Sequence, residues 1–153
     1  MGELNGFGGR LLVIFDGRCG FCNRSVRWFL RRDRFDRMRF APFESPKVSS
    51  LLHGQALHGE ALISEAATFD PSTILVVRNA AGPGESLLVR SNAVIAMLRE
   101  LPSPWPSIAA ALQWIPRPLR DLGYRIVARL RFQVGRRLAT CPLPTAEERA
   151  RFL

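Results

Sequence analysis

Apolar and polar positions change period several times along the chain, and each change marks an element. Leu11-Leu12-Val13-Ile14-Phe15 is an unbroken apolar run, the pattern of a strand buried on both faces. Asp16-Gly17 ends it, and from about Gly20 to Arg32 the period becomes helical. Cys22, Val26, Phe29 and Leu30 share one face of that helix, and Arg24, Arg27, Arg31 and Arg34 mark the other. Trp28 has helical spacing to both Arg24 and Arg32, which permits a cation–π contact. Met38 to Phe43 alternates partly around Pro42 and stops before Pro46, predicting a short second strand, parallel to the first through a right-handed crossover. Val48, Leu51 and Leu52 suggest a short helix in a stretch interrupted by Gly54 and Gly59. The β-branched run Thr73 to Val77 predicts a third strand. After a loop from Asn79 to Gly84, Ser86 to Arg90 returns as its hairpin partner.

The second half is helical. Ser91 is placed to cap a helix from Asn92 to Leu101, with Val94, Ile95 and Leu98 inward. Pro102, Pro104 and Pro106 break it, and Ser107 to Ile115 forms a short apolar helix. Leu119, Leu122, Ile126, Val127 and Leu130 then repeat with strong amphipathic spacing up to Gly135, and residues 145–152 suggest a short terminal helix. The order β-α-β, then β-β-α, is that of an α/β chain with a thioredoxin-like fold. Additional C-terminal helices extend it over about residues 107–153. With 153 residues the chain is expected to be one domain with a real core, preceded by a flexible Gly-rich stretch over residues 1–9.

Composition adds limits. Hydrophobic content of 47% and charged content of 23% suit a globular protein. No uninterrupted apolar stretch reaches the ~18 residues of a membrane span. No basic segment leads into a long apolar one at the N-terminus, so the expected compartment is cytoplasmic. The formal charge is +9, and Lys47 is the only lysine among the basic residues. Such a charge attracts nucleic acid, anionic lipid or an acidic partner. No zinc-finger spacing, RNA-binding aromatic signature or Gly-Lys phosphate loop accompanies it, so no nucleic acid is expected. Arg117, Arg120, Arg125, Arg129 and Arg131 give the last long helix a basic surface, expected to be solvated rather than bound to a membrane. Trp105 and Trp114, among prolines and apolar residues, read as core or interface.

The chemistry concentrates at Cys19-Gly20-Phe21-Cys22, between the first strand and turn and the first helix. A helix N-terminus offers unpaired N–H groups and a partial positive charge, both of which favour a reactive thiolate. Cys19 is therefore the expected nucleophile, its pKa lowered by position and by Arg18 if that side chain points at the sulfur. Cys22, one turn on, is expected to resolve the resulting mixed disulfide. Helical phasing puts Cys22 toward the core and Cys19 at the exposed tip. Gly20 and Phe21 bring no charge, which predicts a reduction potential in the broad thioredoxin to glutaredoxin range. Asp16 is read either as a proton acceptor for Cys22 or as a turn residue. Gly17 supplies either a positive φ or a close backbone approach.

Three cysteines cannot all pair within one chain. Cys141 is a third redox cysteine or a packing residue, and Pro142 after it favours an extended backbone. An alternative to redox chemistry is a zinc-stabilised or basic interaction module with structural cysteines. Zinc needs four ligands, so Cys141 and His53 or His58 would have to complete the pair. No second pair has ligand spacing, His53 and His58 read as surface histidines, and no metal site is assigned.

The stretch Asp16-Gly17-Arg18-Cys19-Gly20-Phe21-Cys22 resembles the Asp-Gly-x-Cys-x-x-Cys signature of the DCC family. Arg32-Asp33, Arg90-Ser91-Asn92-Ala93-Val94, Ile115-Pro116-Arg117-Pro118-Leu119-Arg120-Asp121, Tyr124, Arg131, Gly135-Arg136-Arg137 and Cys141-Pro142 are similar to further landmarks of that family. The resemblance covers most of residues 11–153. It implies a thioredoxin-like thiol–disulfide oxidoreductase that uses no cofactor beyond a redox-active Cys19–Cys22 pair. Its expected partners are a protein or small-molecule disulfide and a cellular thiol reductant. Thioredoxin-like proteins place a cis-proline beside the active cysteines, and Pro71 is the residue here that could fill that place.

Overall fold

A computed structural model of the protein describes residues 9–48, 73–79, 85–136, 138 and 144–153. Leu51, Leu52, His53, His58, Pro71 and Cys141 lie outside the described residues, and with them the expectations placed on those positions. Strand β1 (Leu11–Phe15) is buried at all five positions, as its unbroken apolar run requires. It pairs in parallel with β2 (Met38–Pro42), from Leu11 opposite Met38 to Phe15 opposite Pro42. On its other side it pairs antiparallel with β3 (Leu75–Arg78), which pairs antiparallel with β4 (Ser86–Val89). The four-stranded order β2-β1-β3-β4 is the sheet of a thioredoxin-like fold.

The alternation of side chains along β1 divides the core. Leu11, Val13 and Phe15 join one cluster with Val26 and Phe29 of α1 (Gly20–Arg32) and with Ala93, Ala96 and Met97 of α2 (Arg90–Arg99). Ala109 of α3 (Trp105–Gln113) completes that layer. Leu12 and Ile14 meet Ala41, Val48, Leu75 and Val77 on the opposite face. Trp28 stacks edge-on against Trp105 at 4.6 Å, and the Arg32 guanidinium lies 4.0 Å from the Trp28 ring centre. Of the two arginines with helical spacing to Trp28, Arg32 makes the contact.

Asp33 closes α1. Its buried carboxylate accepts from the N–H groups of Arg37 and Met38 and from Arg151, so it sets the entry of β2. The chain returns to that edge at its end, where Phe152 bridges to Phe40 and the Leu153 N–H donates to the Phe40 carbonyl at 3.0 Å. The last helix, α4 (Arg117–Val134), packs against α1 and α2.

Ser91 departs from its expected role. Helix α2 starts at Arg90 with Val89 as its cap and no side-chain cap bond. Ser91 therefore stands inside the helix, past the cap position, and its hydroxyl donates to Asp121 Oδ1 of α4 at 2.5 Å, a hydrogen bond strengthened by the carboxylate charge.

Candidate active site

The turn between β1 and α1 is held from several directions. Asp16 Oδ1 accepts from the Arg18 N–H at 2.9 Å, an Asx-type turn that gives this carboxylate its turn role. The Gly17 N–H donates to Glu44 Oε2 at 3.2 Å, and the Asn23 amide nitrogen donates to the Gly17 carbonyl at 2.7 Å. Gly17 does not take a positive φ; among the described residues the left-handed glycine is Gly9. Glu44 and Asn23 escaped the sequence reading, because neither carries a spacing signal toward the turn.

Cys19 is the N-cap of α1, and its Sγ accepts the Cys22 N–H at 3.2 Å. Such a hydrogen bond is stronger when the acceptor is charged. Both cysteines are free thiols. The environment treats them differently. Burial raises the Cys22 thiol to about 12, helped by its hydrogen bond to Cys19 and by the charge of Cys19. Arg131 pulls in the opposite direction and is the weaker influence.

Arg131 is the main residue that the sequence pattern misplaced. It was expected on a basic solvated surface, yet it is 5% exposed. From α4 its guanidinium reaches Cys22 Sγ at 3.6 Å and Asp16 Oδ2 at 3.5 Å, so one side chain joins the turn carboxylate to the second sulfur. A further α4 residue, Tyr124, accepts the Ile74 N–H on its hydroxyl at 2.9 Å and fixes the approach to β3. Burial raises the Tyr124 pKa. The available signal was helical phase. At 100° per residue, Asp121, Tyr124 and Arg131 lie together opposite the leucines.

A cavity of about 330 Å³ opens beside this cluster. Phe15, Phe21, Phe29, Ile74 and Val94 give it apolar walls, while Cys22, Asp16 and Arg131 supply its reactive and charged groups.

The expected exposure of the two cysteines is reversed. Cys19 is fully buried, and Cys22 is half-buried on the cavity wall. Helical phase places side chains around an axis but carries no information about a distant segment that covers the helix tip. Here the segment after α4 does so: the Gly20 N–H donates to the Arg136 carbonyl at 3.1 Å, and the Leu138 N–H to the Arg18 carbonyl at 2.6 Å. Close approach explains two glycines. A Cβ on Gly20 would come 2.8 Å from the Arg136 oxygen, and one on Gly135 would come 2.8 Å from the Phe21 Cα.

A strand, an Asx turn and a paired-cysteine helix tip in this sheet define a thioredoxin-like protein with a dithiol site. The family model described as DCC1-like thiol-disulfide oxidoreductase matches residues 13–137, and the chain belongs to that family. It is 30% identical over 134 residues to a DCC family protein of Arabidopsis thaliana named as chloroplastic, covering 88% of this chain and 70% of that one. It is 26% identical over 142 residues to the protein YuxK of Bacillus subtilis strain 168, covering 93% of each. No solved structure matches the chain. No helix among the described residues is long and apolar enough to cross a membrane.

Proposed function

We propose that the protein is a cytoplasmic dithiol–disulfide exchange enzyme, with Cys19 as attacking and Cys22 as resolving cysteine. The observation that carries this is the Cys22 N–H on Cys19 Sγ at the start of α1, with Arg131 and Asp16 gathered at Cys22. The Cys19 thiolate attacks a substrate disulfide and forms a mixed disulfide, releasing the first substrate thiol. Cys22 then gives up its proton, with the Asp16 carboxylate as the nearby acceptor on the cavity wall. Its sulfur attacks Cys19 Sγ and releases the second substrate thiol. The substrate gains two electrons and two protons, and the protein keeps a Cys19–Cys22 disulfide, which a cellular thiol reduces. Arg131 stabilises the anion on Cys22 during resolution, offsetting the burial that otherwise holds that thiol protonated. Attack by Cys19 requires the chain at Arg136 and Leu138 to lift from the motif, because their two hydrogen bonds cover it. No metal or organic cofactor takes part.

The test is reduction of a small-molecule or peptide disulfide by the full chain with a monothiol as electron source. Cys19→Ser is expected to abolish turnover, and Cys22→Ser to accumulate a mixed disulfide on Cys19 that mass spectrometry detects. Turnover that survives Cys19→Ser, or stoichiometric zinc on protein purified without chelator, would sink this reading.

A further inference from the structure

Helix α4 is amphipathic in the wrong sense for a helix packed on a core. Its polar residues Asp121 and Arg131 face inward and are 8% and 5% exposed. Its large apolar residues face out: Leu119 is 60% exposed, Leu122 and Ile126 are 51%, and Val134 is 63%. At 100° per residue these four positions, with the exposed Val127 and Leu130, span roughly 140° of the circumference. Trp114, just before α4, is 90% exposed. A continuous apolar stripe of this kind on a monomeric surface marks an interaction site.

Charge selects the partner. The stripe is edged on one side by exposed Arg125 and Arg129, while the Arg120 guanidinium on the other side is turned into the protein, with its Nε and NH1 buried. Among the described residues, Arg125 and Arg129 form no ion pair. The only acid in the helix, Asp121, is turned inward toward Ser91 and Arg117. An outer face of leucine, isoleucine, valine and tryptophan bordered by arginine, with no carboxylate, suits the headgroup boundary of an anionic bilayer. There the apolar face sinks and the guanidinium groups reach up to phosphates. A second copy of the chain is the weaker match, because two such stripes meeting face to face would set the arginine edges against each other. Helix α4 is too charged to cross a membrane, so the contact lies in the plane of the surface.

We propose that the outer face of α4, together with Trp114, docks the protein on anionic membrane surfaces. Val127 belongs to the stripe and also lines the cavity at Cys22, so the docking face adjoins the thiol site.

The test is co-sedimentation of the full chain with vesicles of phosphatidylcholine alone and of phosphatidylcholine with about a third phosphatidylglycerol. Binding is expected on the anionic vesicles, with a blue shift of Trp114 emission that Trp114→Phe removes, and at least tenfold weaker binding to the neutral ones. Because a +9 chain can adhere to anionic vesicles by charge alone, the decisive variant is Leu122→Gln/Ile126→Gln, which keeps every charge. It should lose at least tenfold in binding while keeping its thermal unfolding midpoint and its disulfide-reductase rate. Unchanged binding by this variant, absence of binding to anionic vesicles, or equal binding to both vesicle types would overturn the proposal. So would a stable dimer in solution that the same variant converts to monomer.

Discussion

The inner face of α4 carries Asp121, Tyr124 and Arg131, while its outer face carries Leu119, Leu122, Ile126 and Leu130. Apolar residues usually go inside because their burial is favourable, and polar ones stay out because burial without partners costs several kcal/mol. Here three inner polar residues have a partner outside the helix: Asp121 has Ser91, Tyr124 has the Ile74 N–H, and Arg131 has Asp16 and Cys22. Partnered polar groups can occupy a core face, and the leucines then answer to something outside the fold. The inner face holds the thiol site together, and the outer face is surplus to folding.

Removing Arg131 should break the inner face most. Arg131→Met is expected to cost about 3 kcal/mol by chemical denaturation, since it removes a buried guanidinium and leaves the Asp16 carboxylate, only 12% exposed, without its cation. It should also slow the resolving step, so that mixed disulfide on Cys19 builds up. A loss under 0.5 kcal/mol would mean that the two faces do not differ in the way described. Gly135→Ala follows, at about 1–3 kcal/mol from collision with the Phe21 backbone. Because it pushes the covering segment off the motif, Cys19 should alkylate faster with iodoacetamide; an unchanged rate would remove that segment as the reason for burial.

Ser91→Ala tests the contact between α2 and α4 and should cost about 1–2 kcal/mol, since a hydrogen bond to a buried carboxylate is lost. The pH dependence of Cys22 is subtler. Its folded pKa lies above the ordinary value of 9.0, at about 12, so its contribution to stability is whole below pH 9 and is lost as pH rises toward 12. Wild type should therefore lose more stability than Cys22→Ser between pH 8 and pH 10.5, in paired denaturation curves. In Cys19→Ser the Cys22 thiolate absorbance should rise at lower pH than in wild type, because two of the influences that raise it come from Cys19. The smallest effect belongs to the outer face. Leu122→Gln/Ile126→Gln should change stability by less than about 0.5 kcal/mol per site, as surface changes do. A larger loss would place those side chains in the fold after all.

The first strand, its turn and the first helix were legible in the chain because their signals are local. An apolar run, an Asp-Gly pair and a switch to helical period each act within a few residues. The Cys-x-x-Cys pair was located on the same grounds, and its placement at the mouth of α1 holds. Arg131 as a partner of Cys22 was not legible, because 109 residues separate them and helical phase, which groups Arg131 with Asp121 and Tyr124, does not say which side of the helix turns inward. Glu44 at Gly17 and Asp121 at Ser91 escaped for the same reason.

Sequence by itself determined the order of elements, the buried central strand, the helix tip that carries the thiols and the family. The elements follow from backbone propensity and hydrophobic period, which neighbouring residues set between them, and the family from the resemblance carried by Asp16 to Cys22 and the later landmarks. Tertiary structure decided which cysteine is covered, which arginine is buried and which face of α4 meets solvent. Those outcomes depend on pairing between distant polar groups: once Asp16, Ser91 and Ile74 offered partners to α4, its polar side turned inward and its apolar side was left outside.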